Sequence, residues 1–467
     1  MHSTYFFSRL LSPRQSAAAL LVAGAALLCV QAHAEPSAAA VAPRAAPSAT
    51  VAAGAVPSAA EPLSRDARRI YEGTRDKLVQ IRTLLRNTNT QASVGSGFFV
   101  SAGGLIITNF HVASQIALEP DRYRGVYVPV DGKEAEVELL AFDVQRDLAL
   151  LRVKDAGAER PALEFRPAAE PLAQGERIYS LGNPLDIGFA VTEGTYNGQV
   201  KRSFYPRIFF GGTLNAGMSG GPAVDGAGRV LGVNVAKRLD GEQVSFLIPA
   251  EFAQALIKRG ADAQPITKPA YAEVTRQLML HQELLTQRLL SSPFREQQHG
   301  QYRVPVPDDQ LARCWGAGRD TDMRLLNLER TDCRVDSDVV AGDFNTGYLR
   351  LRYEAYNAPT YSAVRFASLY SQSFHNEPLA QRGSRRQTAA ECSQRYIDRD
   401  GLPMRAVVCM TAYRKLPGLY DVSVLVATIN KPTRGVQGRM DVQGVAFDNG
   451  LKLAEHYLQA FRWERAP

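Results

Sequence analysis

The sequence predicts a mainly β protein: a barrel or sandwich of short strands from about residue 75 to 250, followed by an α+β region. Three observations lead there. Short apolar runs such as "GSGFFV", "GLIITNF", "GVYVPV", "AEVELLAF", "LALLRV", "RVLGVNVA" and "VSFLIP" recur between Gly- and Asn-containing turn signals. The 467 residues, 45% of them hydrophobic, are enough for two or three domains with a sizeable core. Beyond about residue 263 the pattern changes to a long amphipathic helix followed by mixed strands, with no internal repeat.

At the N-terminus, Arg9 and Arg14 precede the apolar run "AAALLVAGAALLCV" and then "QAHAEP", with small residues at Ala32 and Ala34. That is the layout of a secretory signal cleaved after Ala34, over residues 1–34, and the run is short for a membrane span. The bulky Leu28 before Cys29 argues against a lipoprotein site. Residues 35–62 are little but Ala, Pro, Ser and Val, with no aromatic residue to seed a core, which predicts a disordered linker. The charged segment "LSRDARRIYEGTRDKLVQIRTLL" reads as helical, and "PAEFAQALIKRGA" as a helix closing the β-rich region, with Pro249 at its start. The expected domains are therefore 63–262 and 263–467. In the second, Tyr271, Val274, Leu278, Leu285 and Leu289 fall at helical spacing; "GYLRLRYEAY", "RAVVCMTAY" and "YDVSVLVATI" read as strands and "GLKLAEHYLQAFRW" as a final helix.

Four cysteines remain after removal of the signal, Cys314, Cys333, Cys392 and Cys409, and export makes them disulfide candidates. Of the three pairings allowed, the local ones, Cys314 with Cys333 and Cys392 with Cys409, are favoured. The formal charge of +7 is carried by scattered Lys and Arg with no recognisable nucleic-acid module, so no nucleic-acid partner is expected.

Chemistry concentrates in three places. His111 ends the apolar run "GLIITNFHVA"; Asp147 in "FDVQRDLALLRV" stands immediately before an apolar strand, with Asp143 four residues earlier as the alternative; Ser219 lies within "NAGMSGGPAVD". A serine hydroxyl becomes a nucleophile when a histidine takes its proton, and the resulting imidazolium needs a carboxylate to orient and stabilise it. Glycines around the serine permit the sharp turn that aims backbone N–H groups at an oxyanion, with Gly217 and Ser219 as the natural donors and Met218 between them.

The order His, Asp, Ser within one β-rich region of an exported chain resembles the trypsin-like (chymotrypsin-fold) serine proteases, and more narrowly the HtrA/Deg branch of bacterial envelope proteases. The resemblance rests on "VGSGFFVSAGGLIITNFHV", "RDLALLRV", "LGNPLDIGFAVTEGTYNG" and "LNAGMSGGPAVDGAGRVLGVNVA" followed by "VSFLIP", over roughly residues 75 to 255. It implies two six-stranded barrels with the site at their junction, His111 as base, Asp147 as its orienter, Ser219 as nucleophile, and no metal or organic cofactor. It also implies a primary pocket with Thr213 near its base and Val233, Asn234 and Val235 along its wall. Neither position offers a buried acid, so a small or medium apolar residue is expected before the scissile bond. The sequence departs from the family in having Met218 where Asn or Asp is usual, Phe110 within "TNFHV", no "IVGG"-like activation sequence and no Gly-rich carboxylate-binding loop of the PDZ kind.

The expected protein is thus an exported serine endopeptidase, periplasmic or secreted, acting on protein or peptide substrates, without stable membrane insertion after signal cleavage and compatible with a homo-oligomer. A protease-fold protein that binds rather than cuts is the alternative. An esterase of the G-x-S-x-G type is excluded by the G-M-S-G-G sequence and the triad order.

Overall fold

The computed structural model describes residues 65–464, apart from residues 131, 155–156, 158, 238–242, 322–325, 336 and 376–382. The expected signal peptide and Ala/Pro linker lie outside the described residues. Those described fall in one compact unit, Glu61–Pro467.

Helix α1 (Arg65–Thr74) leads into β1 (Leu78–Leu85), β2 (Gln91–Phe99), β3 (Leu105–Thr108), α2 (Phe110–Leu118), β4 (Tyr123–Pro129), β5 (Ala135–Asp143) and β6 (Leu148–Val153). The six strands close an antiparallel barrel in the order β1-β2-β3-β6-β5-β4. Two sequence expectations are corrected here. The charged helical segment stops at Thr74, and "LVQIRTLL" is a strand, because pairing with both β2 and β4 gives its β-branched residues a place in the barrel wall. His111 lies in the first turn of α2 rather than at the end of a strand.

A second closed barrel follows, from β7 (Arg177–Gly182), β8 (Ala190–Gln199), β9 (Ile208–Phe210), β10 (Pro222–Val224), β11 (Val230–Lys237) and β12 (Ser245–Pro249), ordered β10-β11-β12-β9-β8-β7. Register shifts at Thr83/Leu84 and Leu139/Ala141 in the first barrel, and at Asn234/Ala236 in the second, supply local bends of the kind barrel closure requires. Helix α3 (Ala250–Gly260) closes this region, with Pro249 in the capping position as expected. The barrels meet through a shared apolar layer: Phe98, Ile107, Leu148 and Leu150 from the first pack with Tyr179, Leu181, Val224, Val233 and Ile248 from the second.

The chain continues through α4 (Tyr271–Ser291), β13 (Arg295–His299), β14 (Tyr302–Val306), β15 (Ala312–Thr321), β16 (Leu326–Val335), β17 (Val339–Ala341), β18 (Phe344–Thr346), β19 (Leu349–Asn357), α5 (Ala363–Ser373), β20 (Glu391–Arg399), β21 (Leu402–Ala412), β22 (Leu419–Thr428), β23 (Arg434–Ala446), α6 (Phe447–Gln459) and β24 (Arg462–Trp463). Seven of these strands form an antiparallel sheet ordered β15-β16-β19-β23-β22-β21-β20. Two disulfides join Cys314 to Cys333 and Cys392 to Cys409, each across directly opposed positions of an outermost hairpin.

One apolar cluster crosses from barrel to sheet region. Val79, Ile81, Ile106, Leu139 and Leu151 of the first barrel are continuous through Ile116 and Leu118 of α2 with Val274 and Leu278 of α4, and with Val339, Phe344, Tyr413, Leu416 and Leu419. Phe204, in the β8–β9 loop of the second barrel, is buried in the core of the seven-stranded sheet.

Candidate active site

The β5–β6 turn brings Asp147 to His111. Asp147 adopts a left-handed conformation, φ +56°, and its carbonyl accepts a hydrogen bond from Asn109 Nδ2 at 2.8 Å. Its carboxylate then meets His111 twice: Oδ1 accepts the His111 amide at 2.8 Å and Oδ2 lies 2.6 Å from His111 Nδ1. A carboxylate can only accept, so Nδ1 carries the proton and Nε2 presents its lone pair. Burial opposes the charged imidazolium, but the charge of Asp147 and its hydrogen bond outweigh burial and raise the His111 pKa above its ordinary 6.5. The neighbouring Asp143 has a structural position instead: it is buried, accepts the Arg146 amide at 3.0 Å and pairs with the guanidinium groups of Arg146 and Arg259.

Ser219 stands at the seam between barrels. Its carbonyl accepts from the Ser96 amide of β2 at 2.8 Å, while the next residue, Gly220, donates its amide to the Asn234 carbonyl of β11 at 2.9 Å. Gly220, at φ +87°, packs so closely on β2 that a Cβ there would stand 2.3 Å from the Ser96 carbonyl. The Ser219 hydroxyl donates to the Val235 carbonyl at 3.4 Å, a long bond and a weak hold.

The amides of this loop divide cleanly. Met218 N–H donates to the Asn215 carbonyl and Gly221 N–H to the Met218 carbonyl, both at 3.1 Å; those of Gly217 and Ser219 have no acceptor among the described residues. Their directions are fixed from the far side of each peptide plane. The Ala216 carbonyl accepts from Leu185 N–H at 2.8 Å, so the Gly217 N–H of the same trans peptide points the opposite way. The Met218 carbonyl accepts from Gly221 N–H and from Asn234 Nδ2 at 3.2 Å, which turns the Ser219 N–H outward in the same manner. Gly217 has φ +91° and a Cβ on it would lie 2.4 Å from the Asn183 carbonyl, so only glycine fits.

Met218, counted with Gly217 and Ser219 in the expected oxyanion loop, does not face the oxyanion: its amide is used within the loop and its side chain is 1% exposed, packed with Ile178, Phe210, Leu214 and Leu231 inside the second barrel. An apolar anchor stands where the resemblance leads one to expect Asn or Asp. The four expected pocket residues divide as well. Thr213 is exposed and Val235 half-buried, whereas Val233 packs into the apolar layer between the barrels. Asn234 is buried and bonded to the Ser180 hydroxyl and the Leu181 carbonyl as well as to Met218, so it braces the serine loop rather than lining a pocket. Sequence reading missed Ser96, whose hydroxyl accepts from the Asn183 amide at 2.9 Å and donates to the Gly217 carbonyl at 2.7 Å. It also missed Asp186, which ties the Leu185 turn to Gln80 and Arg82 of β1 at 2.7 and 3.0 Å.

Two closed antiparallel barrels, with a carboxylate–imidazole pair on one and a glycine-flanked serine loop docked between them, define the trypsin-like class of peptidase fold. Residues 95–233 match the family described as trypsin-like peptidase domain. It is 28% identical over 233 residues to Serine protease HTRA1 of Xenopus tropicalis, covering 47% of this chain and 48% of that protein. It is 31% identical over 193 residues to a probable periplasmic serine endoprotease DegP-like of Bartonella henselae, covering 37% of each, and 28% identical to the putative serine protease HhoA of Synechocystis, covering 44% of this chain and 52% of that one. The chain thus spans about half the length, or less, of the curated relatives it matches. A serine endoprotease from Yersinia pestis superposes on 42% of this chain and 66% of its own, at 24% identity and a TM-score of 0.37.

Among the described residues no group of His, Cys, Asp or Glu is arranged to hold a metal ion, and no helix is long and apolar enough to cross a membrane.

Proposed function

We propose that this protein is an exported serine endopeptidase that hydrolyses peptide bonds in envelope or secreted proteins. The observation that carries the reading is the double hold of Asp147 on His111, which fixes both the orientation and the tautomer a general base needs. In this mechanism Ser219 Oγ attacks the scissile carbonyl while His111 Nε2 takes its proton. The tetrahedral oxyanion is met by the outward N–H groups of Gly217 and Ser219. His111 returns the proton to the leaving amine, leaving an acyl-Ser219 that water, deprotonated by the same imidazole, hydrolyses. Leu185 and Ile187 stand 64% and 79% exposed on the turn beside the serine loop, apolar surface suited to an unfolded polypeptide. Together with the absence of an acid at Thr213 and Val235, this favours small or medium apolar residues before the scissile bond. Export rests on residues 1–34 and, for the periplasm, on the names of bacterial relatives.

A fluorophosphonate probe is expected to label the purified protein, and Ser219→Ala to abolish labelling; labelling that survives the substitution removes Ser219 from the role. A second reading, a protease-fold binding protein, is favoured by the Ser219 hydroxyl resting on the Val235 carbonyl. Suppression of casein aggregation without peptide release, at several pH values and equally in Ser219→Ala, would establish it.

A further inference from the structure

The turn that presents Asp147 is gripped from outside the trypsin-like segment. Gln277, on α4, is buried, and its side-chain amide closes a fork on the turn: Oε1 accepts the Val144 amide at 2.7 Å and Nε2 donates to the Phe142 carbonyl at 3.1 Å. Gln145 answers in the other direction, donating from Nε2 to the Gln277 carbonyl at 2.8 Å. Three hydrogen bonds therefore join α4 to the residues immediately preceding Asp147, two of them to backbone groups that set the path of the turn. A second contact flanks Asp147 from the other barrel. The Arg146 guanidinium packs on the Tyr205 and Phe252 rings, 5.3 and 4.7 Å from their centroids, and the Tyr205 hydroxyl lies 2.8 Å from Nδ1 of His281, one turn along α4 from Gln277.

We propose that Gln277 is a positioning residue of the triad: helix α4, outside the matched peptidase segment, completes the active site by holding the β5–β6 turn in the conformation that lets Asp147 grip His111. The proposal rests on the His111–Asp147–Ser219 reading above. The physical case is that Asp147 sits in a left-handed conformation, which aspartate enters more readily than most non-glycine residues but still at a cost. Such strain persists only where the surroundings over-determine it. Here Asn109 fixes the Asp147 carbonyl after the strained φ and Gln277 fixes Phe142 and Val144 before it. Gln277 touches neither His111 nor Ser219, so its effect passes through the aim of the Asp147 carboxylate, where a misplacement of about 1 Å costs on the order of 100-fold in rate.

The test uses the full chain with Gln277→Met, which keeps the side-chain length and removes both polar ends, and with Gln145→Ala, which removes the return bond from a partly exposed side chain. Each is read by kcat and KM per titrated active site, by NMR titration of the His111 ring, and by thermal unfolding. The expected result is a 10- to 100-fold loss of kcat at little-changed KM for Gln277→Met, a smaller loss for Gln145→Ala, and a downward shift of the His111 titration in both. A purely structural role predicts fewer active sites with normal kcat and normal titration in those that remain, and that result overturns the proposal. If Gln277→Met does not fold, Gln145→Ala decides by the same two readouts. If the wild-type protein hydrolyses nothing, the endopeptidase reading falls, while the His111 titration still shows whether α4 controls the Asp147–His111 pair.

Discussion

At the scale of single residues, the His111–Asp147 pair makes a prediction about pH. On the proposed triad His111 must be neutral to accept the Ser219 proton, so kcat/KM of the free enzyme is expected to fall as pH drops through the His111 pKa, which Asp147 raises above its ordinary 6.5. Asp147→Asn removes the charge and the carboxylate hydrogen bond that raise it and leaves burial, which lowers it. The acid limb should move to lower pH while kcat falls by about 10⁴, as expected when the carboxylate that orients the base is lost. An acid limb unmoved by Asp147→Asn would mean that another group controls it. The His111–Asp147 contact and the glycine-flanked Ser219 loop were legible in the sequence because each sits in a short motif whose spacing carries chemistry. Asn234, Ser96 and Gln277 were not, because a buried Asn, Ser or Gln that orients a peptide plane has no signature: its partners are backbone atoms between 16 and 135 residues away. Met218 shows the opposite error. The sequence flagged it as a departure, but only the packed barrel reveals that an apolar side chain can anchor this loop from beneath.

At the scale of elements, the two disulfides answer a weakness of the sheet that carries them. β15 and β20 are its edges, each paired on one side only, and most side chains of β20 are exposed, so little apolar burial holds that strand. Each disulfide ties an edge strand to its inner neighbour, at sequence separations of 19 and 17, for which chain entropy gives about 3 kcal/mol each. Both tryptophans of the chain, Trp315 and Trp463, lie in this region, so intrinsic fluorescence reports on it selectively. Replacing Cys314 and Cys333 together by Ala should lower the denaturant midpoint of the tryptophan signal by an amount equivalent to about 3 kcal/mol, with hydrolysis of a small substrate unchanged in buffer. An unaltered midpoint would show that the core beneath the edge is sufficient by itself. The pairing was readable from spacing and compartment, whereas the placement at opposite edges was not, since strand order is set by contacts distant in sequence. The same limit explains "LVQIRTLL". Charged residues before it extend a helical pattern, and only pairing with β2 and β4 decides for a strand.

At the scale of the whole molecule, apolar packing is continuous between the first barrel and the C-terminal 200 or so residues. A detachable module would leave behind a barrel with a polar outer face. Instead Ile116 and Leu118 of α2 share one cluster with Val274, Leu278, Val339, Phe344, Leu416 and Leu419, and Phe204 crosses into the core of the sheet. Each buried Val, Leu, Ile or Phe is worth about 1.5–3 kcal/mol relative to exposure, so uncovering Ile116 and Leu118 alone would cost up to about 3–6 kcal/mol, a large share of the roughly 5–15 kcal/mol that stabilises a whole domain. Nothing in the periodicity of residues 263–467 discloses this, because a helix with apolar residues at Val274 and Leu278 looks the same whether it covers its own sheet or a neighbouring barrel. A chain ending at residue 262 is therefore expected to be insoluble, or soluble with strong binding of a hydrophobic dye, and to hydrolyse even a small substrate poorly, since it lacks Gln277 as well as the covering surface. Release from autoinhibition predicts the reverse: a soluble, dye-negative fragment with activity raised above the full chain. Loss of protein cleavage with full cleavage of a small substrate would instead make the region a docking surface. Fragment solubility, dye binding and turnover of a small ester, measured on one preparation, separate the three.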